Sequence, residues 1–466
     1  MTYPQAIDYL YNAHPTFHLT GAGAYKPGPE NILRLMEALG NPHTRLRAVH
    51  VAGTNGKGST SHLIAAAQQA AGLRVGLYTS PHLVDFRERI RINGTPIPED
   101  EVAQWIERQR PLLDATQCSF FETATALAFW WFDRRQVDIA VVEVGLGGRL
   151  DATNILTPLL SVITNIGLDH TDLLGDTLPA IAREKAGIIK PGVPCVIGET
   201  DPETAPVFMQ RAAECGILGD GLETTDCRLW FADQCGYLRR CRLRDVPTCQ
   251  LHGLYQEHNL QTAYVALQVL RNHVSASPLR TSYIAPSYIA HGFAHVCDLT
   301  GLRGRWETLS EHPLTICDTG HNAHGLSYVA EQLRRLHAAG HTLHIVFGMV
   351  RDKDVRAALA LMPYTPDAAD TPASDSSAPS IRYYFTQAAT PRALPANQLA
   401  QLWCSLHPAP QVTTPTRDAE CSAPLIFSSV PDALRAARCA AAPDDIIFIG
   451  GSNYIVGEAL RTISRT

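Results

Sequence analysis

The chain has 466 residues, which is more than a single hydrophobic core usually supports, so we expect two domains. Hydrophobic residues make up 45% of it and charged residues 18%, which is typical of a globular protein. A formal net charge of −6 gives no electrostatic reason to expect nucleic acid or a membrane surface as a partner. No apolar run reaches the roughly 18 residues that a membrane helix requires. The first residues lack the pattern of a signal peptide, so we expect a cytoplasmic protein.

Cysteine usage agrees with that expectation. The 12 cysteines include no C-x2-C pair. Cys227, Cys235, Cys241 and Cys249 cluster in sequence, but their spacing is wider than zinc sites use. We therefore expect free thiols in a reducing compartment.

Hydrophobic periodicity alternates between strand and helix through the first 300 residues. The predicted strands cover residues 46–52, 74–79, 137–144, 159–166 and 193–198, with a hairpin over 90–97 and short strands within 217–250. The predicted helices cover residues 4–13, 31–39, 60–71, 98–114, 120–135, 177–190 and 256–274. A loop rich in Gly and Pro is expected at 19–29. This alternation predicts right-handed βαβ units and a mostly parallel sheet.

A stretch rich in Pro, Ser and Tyr at 275–292 precedes a second run of the same alternation, so we place the domain boundary near residue 300. The predicted domains are 1–300 and 301–466. In the second, predicted strands cover 314–317, 342–347, 382–386 and 446–449, and predicted helices cover 325–338, 354–361, 396–406 and 430–441. Residues 365–380 have the composition of a surface loop. The sequence predicts a two-domain α/β protein.

A glycine-rich segment, GTNGKGS at 53–59, joins a predicted strand to a predicted helix. Backbone N–H groups at such a junction can bind phosphate, a lysine can reach the outer phosphates, and a serine hydroxyl can bind Mg²⁺. The spacing departs from the common G-x4-G-K-S/T, because Gly58 separates Lys57 from Ser59. We predict a nucleotide site.

Polar residues follow other predicted strands. Glu143 ends one buried strand and His170 follows the next, where ligands bind in open α/β sheets. A carboxylate level with the phosphate loop is well placed for Mg²⁺. From its surroundings alone, Lys185 is expected to be a helix-surface lysine. Arg305 lies near the domain boundary, just before the strand that Asp318 follows, and could stabilise a transferring phosphoryl group.

These segments together resemble folylpolyglutamate synthase/dihydrofolate synthase, a family of the Mur-ligase superfamily. In family order the matching segments are GTNGKGS (53–59), TSPHL (79–83), FFETAT (120–125), EVGLGGRLDATN (143–154), NIGLDH (165–170), EKAGIIK (184–190), GRWE (304–307) and DTGHN (318–322). The resemblance implies a Mur-ligase-type ATP-binding domain followed by a smaller, Rossmann-like glutamate-ligase domain. It also implies ATP and Mg²⁺ as ligands and a monomeric enzyme.

The resemblance assigns roles that the residues alone do not. Four positions would be catalytic: Lys57, His170, Lys185 and Arg305. Lys185 would be carbamylated, which replaces the expectation of a surface lysine. The positions that would bind Mg²⁺ are Ser59, Ser80, Glu143 and His170. The positions that would contact ATP are Gly53, Thr54, Asn55, Gly56, Lys57, Gly58, Ser59, Thr60, Asn259, Arg305, Asp318 and His321. The positions that would line the substrate site are Ser80, His82, Phe121, Glu122, Leu150, Asp151 and Ala152.

The implied activity is ATP-dependent ligation of L-glutamate to dihydropteroate, to a reduced folate, or to both, through an acyl phosphate. A Mur-type ligase acting on a UDP-linked cell-wall precursor is the main alternative, and FFETAT and GLGGRLDATN argue against it because they match the folate branch. An ATP-binding regulatory protein without ligase activity is a further alternative. The presence together of Lys57, Ser59, Glu143, His170 and Lys185 argues against that reading.

Overall fold

The computed structural model describes residues 1–13, 28–218, 227–234, 248–273, 284–364, 379–407 and 424–464. The chain divides into two compact units. Unit 1 comprises Met1–Gln250 and Tyr255–Leu302, and unit 2 comprises Leu251–Leu254 and Arg303–Thr466. The predicted loops at 19–29 and 365–380, the four-cysteine cluster, the short strands within 217–250 and the stretch at 275–292 lie partly outside the described residues.

Unit 1 alternates strands and helices. Its strands are β1 (Ala48–Ala52), β2 (Val75–Tyr78), β3 (Ile90–Ile92), β4 (Thr95–Pro96), β5 (Ile139–Glu143), β6 (Leu160–Ile163), β7 (Cys195–Ile197) and β8 (Leu229–Phe231). Its helices are α1 (Tyr3–Ala13), α2 (Glu30–Ala38), α3 (Lys57–Ala70), α4 (Glu99–Thr116), α5 (Phe120–Arg134), α6 (Thr171–Leu174), α7 (Leu178–Ala186), α8 (Ala205–Glu214), α9 (Gln256–His273), α10 (Pro286–Ala294) and α11 (Val296–Thr300).

The described strands of unit 1 form one eight-stranded sheet in the order β4-β3-β2-β5-β1-β6-β7-β8. The strands from β2 to β8 in this order pair in parallel, whereas the β3–β4 hairpin is antiparallel and extends the sheet beside β2. Every residue of β1 and β5 is buried, as expected of central strands covered on both faces. The mostly parallel sheet that the sequence predicts is confirmed.

Helix α3 is buried over most of its length, from Ser59 to Gln68. Its small residues permit this. A Cβ atom added at Gly292 of α10 would lie 2.5 Å from the backbone N and Cα of Ala67, so these two helices approach each other closely. The helix that follows the glycine-rich loop is therefore packed inside unit 1. This packing fixes the position of its first turn, which adjoins the loop.

Several boundaries differ from the sequence predictions. Helix α3 begins at Lys57 rather than residue 60, because Gly56 takes a left-handed conformation (φ 80°) and caps it. Helix α7 ends at Ala186 rather than 190, with Gly187 as its cap. Helix α8, which buries Phe208 and Ala212, was not predicted. Helices α10 and α11 were also missed in the region around 286–300.

Unit 2 repeats the alternation on a smaller scale. Its strands are β9 (Glu307–Glu311), β10 (Leu314–Cys317), β11 (Leu343–Phe347), β12 (Ile381–Phe385), β13 (Leu425–Ile426) and β14 (Ile446–Gly450). Its helices are α12 (Ala323–Ala338), α13 (Val355–Leu361), α14 (Ala396–Leu406), α15 (Val430–Ala440) and α16 (Asn453–Ile463). The described strands form a sheet in the order β13-β12-β11-β14-β10-β9, parallel except for β9. The sequence analysis did not predict β9, β13 or α16.

None of the helices that the structure describes combines the length and the apolar character that crossing a membrane requires.

Candidate active site

The glycine-rich loop joins β1 to α3 and needs its glycines. Gly53 and Gly56 have φ values of 149° and 80°, in the range that favours glycine. A Cβ at Gly53 would lie 1.8 Å from Oγ1 of Thr164, and one at Gly56 would lie 2.0 Å from Oδ1 of Asn259. The loop therefore packs closely against the end of β6 and against α9, and neither position has room for a side chain.

Hydrogen bonds attach the loop to the segment after β6. The N–H of Thr54 donates to the Asn165 carbonyl and the N–H of Asn55 donates to Asn165 Oδ1, both at 2.9 Å. The hydroxyl of Thr164 donates to the Asn55 carbonyl at 2.6 Å. The hydroxyl of Thr54 donates to the Gly167 carbonyl and accepts from its N–H. The NIGLDH segment thus fixes the conformation of the phosphate loop, a function that the sequence analysis did not assign to it.

Two lysines converge on one carbonyl oxygen of this loop. Nζ of Lys57 lies 3.1 Å from the Gly53 oxygen, and Nζ of Lys185 lies 2.8 Å from it. Only 4% of Lys185 is exposed. Burial, followed by the charge of Lys57, lowers the pKa of Lys185 from its ordinary 10.5 to about 7. A substantial fraction of this side chain is therefore neutral at physiological pH.

The expectation that Lys185 lies on a helix surface is wrong. Helix α7 packs on the loop after β5, and a Cβ at Gly148 would lie 3.0 Å from the Glu184 carbonyl oxygen and 3.2 Å from Cα of Lys185. The N–H of Arg149 donates to the same carbonyl at 2.8 Å. Because Gly148 adds no side chain, the helix comes close enough to bury Lys185 beneath the phosphate loop.

A buried carboxylate lies at the carboxyl end of β5. Glu143 is 3% exposed, and its Oε2 accepts a hydrogen bond of 3.0 Å from the backbone N–H of Ser80, which follows β2. Two of the predicted metal positions are therefore in direct contact. A third, Ser59, lies in the first turn of α3, where its hydroxyl accepts from Nε2 of Gln256 at 3.2 Å. Gln256 in turn accepts from the predicted ATP contact Asn259 at 2.8 Å.

The sequence analysis missed Gln256. It lies in the first turn of α9, one turn before Asn259, and both side chains are at least nine-tenths buried. The signal that could have identified it is a pair of amide side chains, three residues apart and on one face of a helix with apolar periodicity. Its role is to hold the Ser59 hydroxyl in place.

His170, the remaining predicted metal position, adopts a left-handed conformation with φ 50°. Its backbone N–H donates to Oδ1 of Asp169 at 2.8 Å, and its side chain is about one quarter exposed (26%). A non-glycine residue in this region is uncommon and is held by its surroundings. The conformation sets the direction in which the imidazole leaves the backbone.

The predicted oxygen and nitrogen donors fit a divalent cation that arrives with a nucleotide. Among the described residues, no group of three or more His, Cys, Asp or Glu side chains is arranged to hold a metal ion by itself. Mg²⁺ in proteins is commonly bound through one or two carboxylates together with substrate phosphates. A buried Glu143 carboxylate and a Ser59 hydroxyl at the start of α3 form such a partial set.

The loop after β5 carries three predicted substrate positions, and Asp151 organises it. Its Oδ2 accepts from the N–H groups of Gly145 and Leu146 at 3.0 and 2.9 Å, and its Oδ1 accepts from both the N–H and the hydroxyl of Thr153. Burial raises the pKa of Asp151, and these donors oppose that rise. Ala152 is buried and Leu150 is half-buried beside it.

Phe121 and Glu122 lie in the first turn of α5. A Cβ at Gly145 would lie 2.4 Å from the Phe121 ring, so the ring packs directly on the β5 loop. Glu122 Oε2 accepts from the N–H of Ser119 at 2.7 Å in a capping box, while its Oε1 is buried and has no hydrogen-bond partner among the described residues.

His82 belongs to a second polar cluster. Nε of Arg89 donates to Nδ1 of His82 at 2.8 Å, so that nitrogen carries no proton. The proton then lies on Nε2, which donates to the hydroxyl of Tyr11 at 3.0 Å. Arg89 is 2% exposed and lies over the ring of Phe120. A neutral His82 thus connects the segment after β2 to α1.

Unit 2 holds the other predicted ATP contacts together at the carboxyl end of β10. Asp318 accepts from the N–H groups of Trp306 and Gly320 at 2.8 and 2.7 Å. Arg305 donates to the hydroxyl of Thr319, and Nδ1 of His321 lies 2.9 Å from the Thr319 carbonyl, so it carries the proton. The three predicted residues form one hydrogen-bonded loop within unit 2.

Two family models match the chain. The Mur ligase middle domain model matches residues 51–226, and the Mur ligase glutamate ligase domain model matches residues 304–453. The fold and the phosphate-loop site therefore define a two-domain ligase of the Mur-ligase superfamily, and the fold class that the sequence predicted is confirmed.

Individual relatives identify the family within this superfamily. The chain is 36% identical to the folylpolyglutamate synthase of Lacticaseibacillus casei over 375 residues, which are 77% of this chain and 82% of the relative. It is 32% identical over 483 residues to a probable bifunctional folylpolyglutamate synthase/dihydropteroate synthase of Haloferax volcanii, of which it spans only 51%. The chain belongs to the folylpolyglutamate synthase/dihydrofolate synthase family.

Solved structures agree. Escherichia coli FolC in complex with DHPP and ADP superposes with a TM-score of 0.75 and 27% identity, over 100% of this chain and 98% of that one. The bifunctional folylpolyglutamate synthase/dihydrofolate synthase of Yersinia pestis, complexed with AMPPNP and a Mn ion, gives a TM-score of 0.74 and 29% identity over the same shares.

Proposed function

We propose that this chain joins L-glutamate to a pterin-bearing carboxylic acid (dihydropteroate, a reduced folate, or both) and cleaves ATP to ADP and phosphate in the process. A carboxylate is a poor acylating agent until one of its oxygens becomes a good leaving group. The acid therefore attacks the γ-phosphate, ADP leaves, and the glutamate amine attacks the resulting acyl phosphate and displaces phosphate. Residues 1–300 would be the ATP-binding domain and 301–466 the glutamate-ligase domain.

One observation carries the proposal. One compact unit of this family member contains a phosphate loop, two lysines that contact its Gly53 carbonyl, and a buried carboxylate at the end of the neighbouring strand β5. Such a site can hold the phosphates of ATP and a divalent cation together. The relatives named above are folate ligases, which favours the pterin acid over a UDP-linked cell-wall precursor.

The phosphoryl step depends on charge. Lys57, in the first turn of α3, would move from the Gly53 and Thr54 carbonyls onto the outer phosphates, where it offsets the repulsion between two anions. Bound Mg²⁺ would supply further positive charge there, held by Ser59, Glu143 and His170, with Ser80 as a neighbour of Glu143. Residues 53–60 and Asn259 would position the nucleotide. The roles of Arg305, Asp318 and His321 in ATP binding are also proposals.

The lowered pKa of Lys185 supports a carbamate. Its neutral amine would attack CO₂, form an N–C bond and release one proton, which converts a neutral amine into an anion near the metal positions. An ordinary lysine is almost entirely protonated at neutral pH, whereas a pKa of about 7 makes about half of the amines reactive. The family resemblance suggests the modification, and the burial of Lys185 explains why the reaction would be feasible.

The acceptor acid would bind against the β5 loop and the start of α5. Phe121 offers a ring for stacking, and Glu122 offers a buried carboxylate oxygen with no partner among the described residues. Leu150, Asp151 and Ala152 would line the opposite wall, with Ser80 and His82 near the segment after β2. A cytoplasmic, monomeric enzyme is part of this proposal.

The test measures ADP release from Mg·ATP and L-glutamate, with dihydropteroate and tetrahydrofolate as alternative acceptors. We expect turnover with at least one acceptor, and only when glutamate is present. Turnover with both would show two activities. ADP release that needs neither acceptor nor glutamate would refute the ligase, and turnover only with a UDP-linked precursor would favour the Mur-type alternative.

A further inference from the structure

A buried histidine in the strand that leads into the phosphate loop has no role in the site described above. His50 is the third residue of β1, has 0% exposure, and lies three residues before Gly53. Its Nε2 is 2.8 Å from the hydroxyl oxygen of Thr153. Thr153 is also fully buried and belongs to the loop after β5. The contact therefore joins β1 to the proposed substrate wall.

The direction of each hydrogen bond follows from its partner. The Asp151 carboxylate already accepts three backbone N–H groups, those of Gly145, Leu146 and Thr153. The Thr153 hydroxyl donates to the same carboxylate. Having used its only proton, that hydroxyl must accept from His50, so Nε2 of His50 carries the hydrogen.

The other ring nitrogen confirms that His50 is neutral and fixed. Nδ1 is buried and has no hydrogen-bond partner among the described residues, which a protonated nitrogen would need. Burial, together with the nearby charge of Lys190, lowers the pKa of His50 to about 3. His50 is therefore a donor whose direction does not change over the working pH range.

The series of hydrogen bonds from His50 through Thr153 to Asp151 ends at backbone that the substrate would touch. Asp151 holds the N–H groups of Gly145 and Leu146, and the Phe121 ring packs directly on Gly145. Without the histidine donor, the buried oxygen of the Thr153 hydroxyl has no donor to accept from, and the hydroxyl can turn away from Asp151. The carboxylate would then lose one of its four donors.

We propose that His50 is a positioning residue for acceptor binding: through Thr153 it fixes the Asp151 carboxylate and with it the loop wall that receives the pterin acid. It contacts neither ATP nor the acceptor. The inference rests on the proposed function, since it assumes that the β5 loop binds the acceptor. The phosphate loop has its own anchors at Asn165 and Thr164, so ATP binding should change little.

The test uses two amide variants of nearly equal chemistry. In His50→Gln the amide nitrogen reaches the place of Nε2 and can donate to Thr153, whereas in His50→Asn it reaches only the place of Nδ1. We expect His50→Asn to raise the acceptor KM about tenfold, the loss of one buried hydrogen bond, with the ATP KM within about twofold of wild type. His50→Gln should restore most of the acceptor affinity. Equal effects of the two variants, or equal changes in both KM values, would overturn the proposal.

A double-mutant cycle gives a second measurement. In the Thr153→Val background, His50→Asn should raise the acceptor KM little further, because both substitutions break the same series of hydrogen bonds. Additive effects on the acceptor KM would overturn the proposal. The fold of each variant is checked by its thermal unfolding midpoint.

Nitrogen-15 NMR of the histidines tests the geometry independently of activity. We expect His50 to show the neutral form with hydrogen on Nε2 from mildly acidic to mildly alkaline pH. Hydrogen on Nδ1 would overturn the proposal. A wild-type enzyme that shows this signal but turns over neither acceptor would instead refute the proposed function.

Discussion

The carbamate proposed for Lys185 can be tested through the chemistry of the buried amine. Lys185 is 4% exposed, and its amine lies 2.8 Å from the Gly53 carbonyl and close to Lys57. The fall in pKa from 10.5 to about 7 corresponds to roughly 5 kcal/mol in favour of the neutral amine. At neutral pH the neutral fraction rises roughly a thousandfold over that of an exposed lysine. Reaction with CO₂ then becomes competitive with protonation.

The assay compares ADP release in CO₂-free buffer and in buffer with added bicarbonate. We expect bicarbonate to restore activity to the depleted enzyme, more completely above the Lys185 pKa of about 7 than below it, because carbamate formation needs the neutral amine and releases a proton. Lys185→Ala should lose activity by about a hundredfold to a thousandfold, as expected for an electrostatic group near the reacting phosphates.

Short carboxylic acids should partly rescue Lys185→Ala by supplying the missing carboxylate. Carbon-13 NMR with labelled bicarbonate should show a carbamate signal in wild type that this variant lacks. Lys353→Met, a lysine substitution in unit 2, serves as the matched control and should behave as wild type. Full activity of Lys185→Ala without additives, or a wild type indifferent to CO₂ removal, would refute the reasoning.

Three further predictions test other parts of the site. Lys57→Ala should fold normally and yield no measurable ADP, because the phosphates lose their direct cation, and near-normal turnover in the ADP assay would show that the loop is misassigned. Gly187→Ala should raise both the acceptor KM and the bicarbonate requirement, since its Cβ would lie 2.5 Å from Cα of Arg149 and push α7 from the β5 loop. Arg149→Ala, which removes the ion pair between Arg149 and Glu184 and leaves the helix glycine in place, is its control. For His50, the folded pKa of about 3 lies below the unfolded 6.5, so between them the unfolded chain binds more protons and stability falls as pH falls, by up to about 1.4 kcal/mol per pH unit. Urea unfolding at several pH values should show that His50→Gln has a shallower acid dependence, and parallel curves would contradict the assignment.

The local features of the phosphate loop could be predicted from the sequence. Its glycines, Lys57 and Ser59 are contiguous, and a strand and a helix flank them, so spacing alone indicated the chemistry. Glu143 was found for a similar reason, since it interrupts a buried strand at its end. Such signals depend on neighbours in the chain, which a sequence displays directly.

Lys185 shows what a sequence does not display. Its charged neighbours Arg183 and Glu184 are typical of a solvent-facing helix, and Glu184 does pair with Arg149 at the surface. The side chain is buried because two glycines far apart in sequence, Gly148 and Gly187, let α7 approach the β5 loop. His50 is a similar case, since its partner Thr153 is 103 residues away. Burial made by tertiary packing changes the chemistry of a residue without changing its local pattern.

The order of the strands explains why these distant segments meet. In unit 1 the neighbours β2, β5, β1 and β6 pair in parallel, so their carboxyl ends lie along one edge of the sheet. Successive ends are tied together. Ser80 after β2 donates to Glu143 at the end of β5, and the loop after β1 bonds to Asn165 after β6.

From β1 the chain continues to β2, which lies beyond β5 on one side of β1. From β5 it crosses β1 to reach β6, which lies on the other side. In α/β proteins such a reversal marks the point at the carboxyl ends of the strands where ligands bind, and here it falls beside β1. Asp318 likewise follows the carboxyl end of β10, which pairs in parallel with β14 in unit 2. Topology therefore selects the edge of each sheet that can carry a site. Local sequence then determines the chemistry at that edge, and close packing sets the protonation states there.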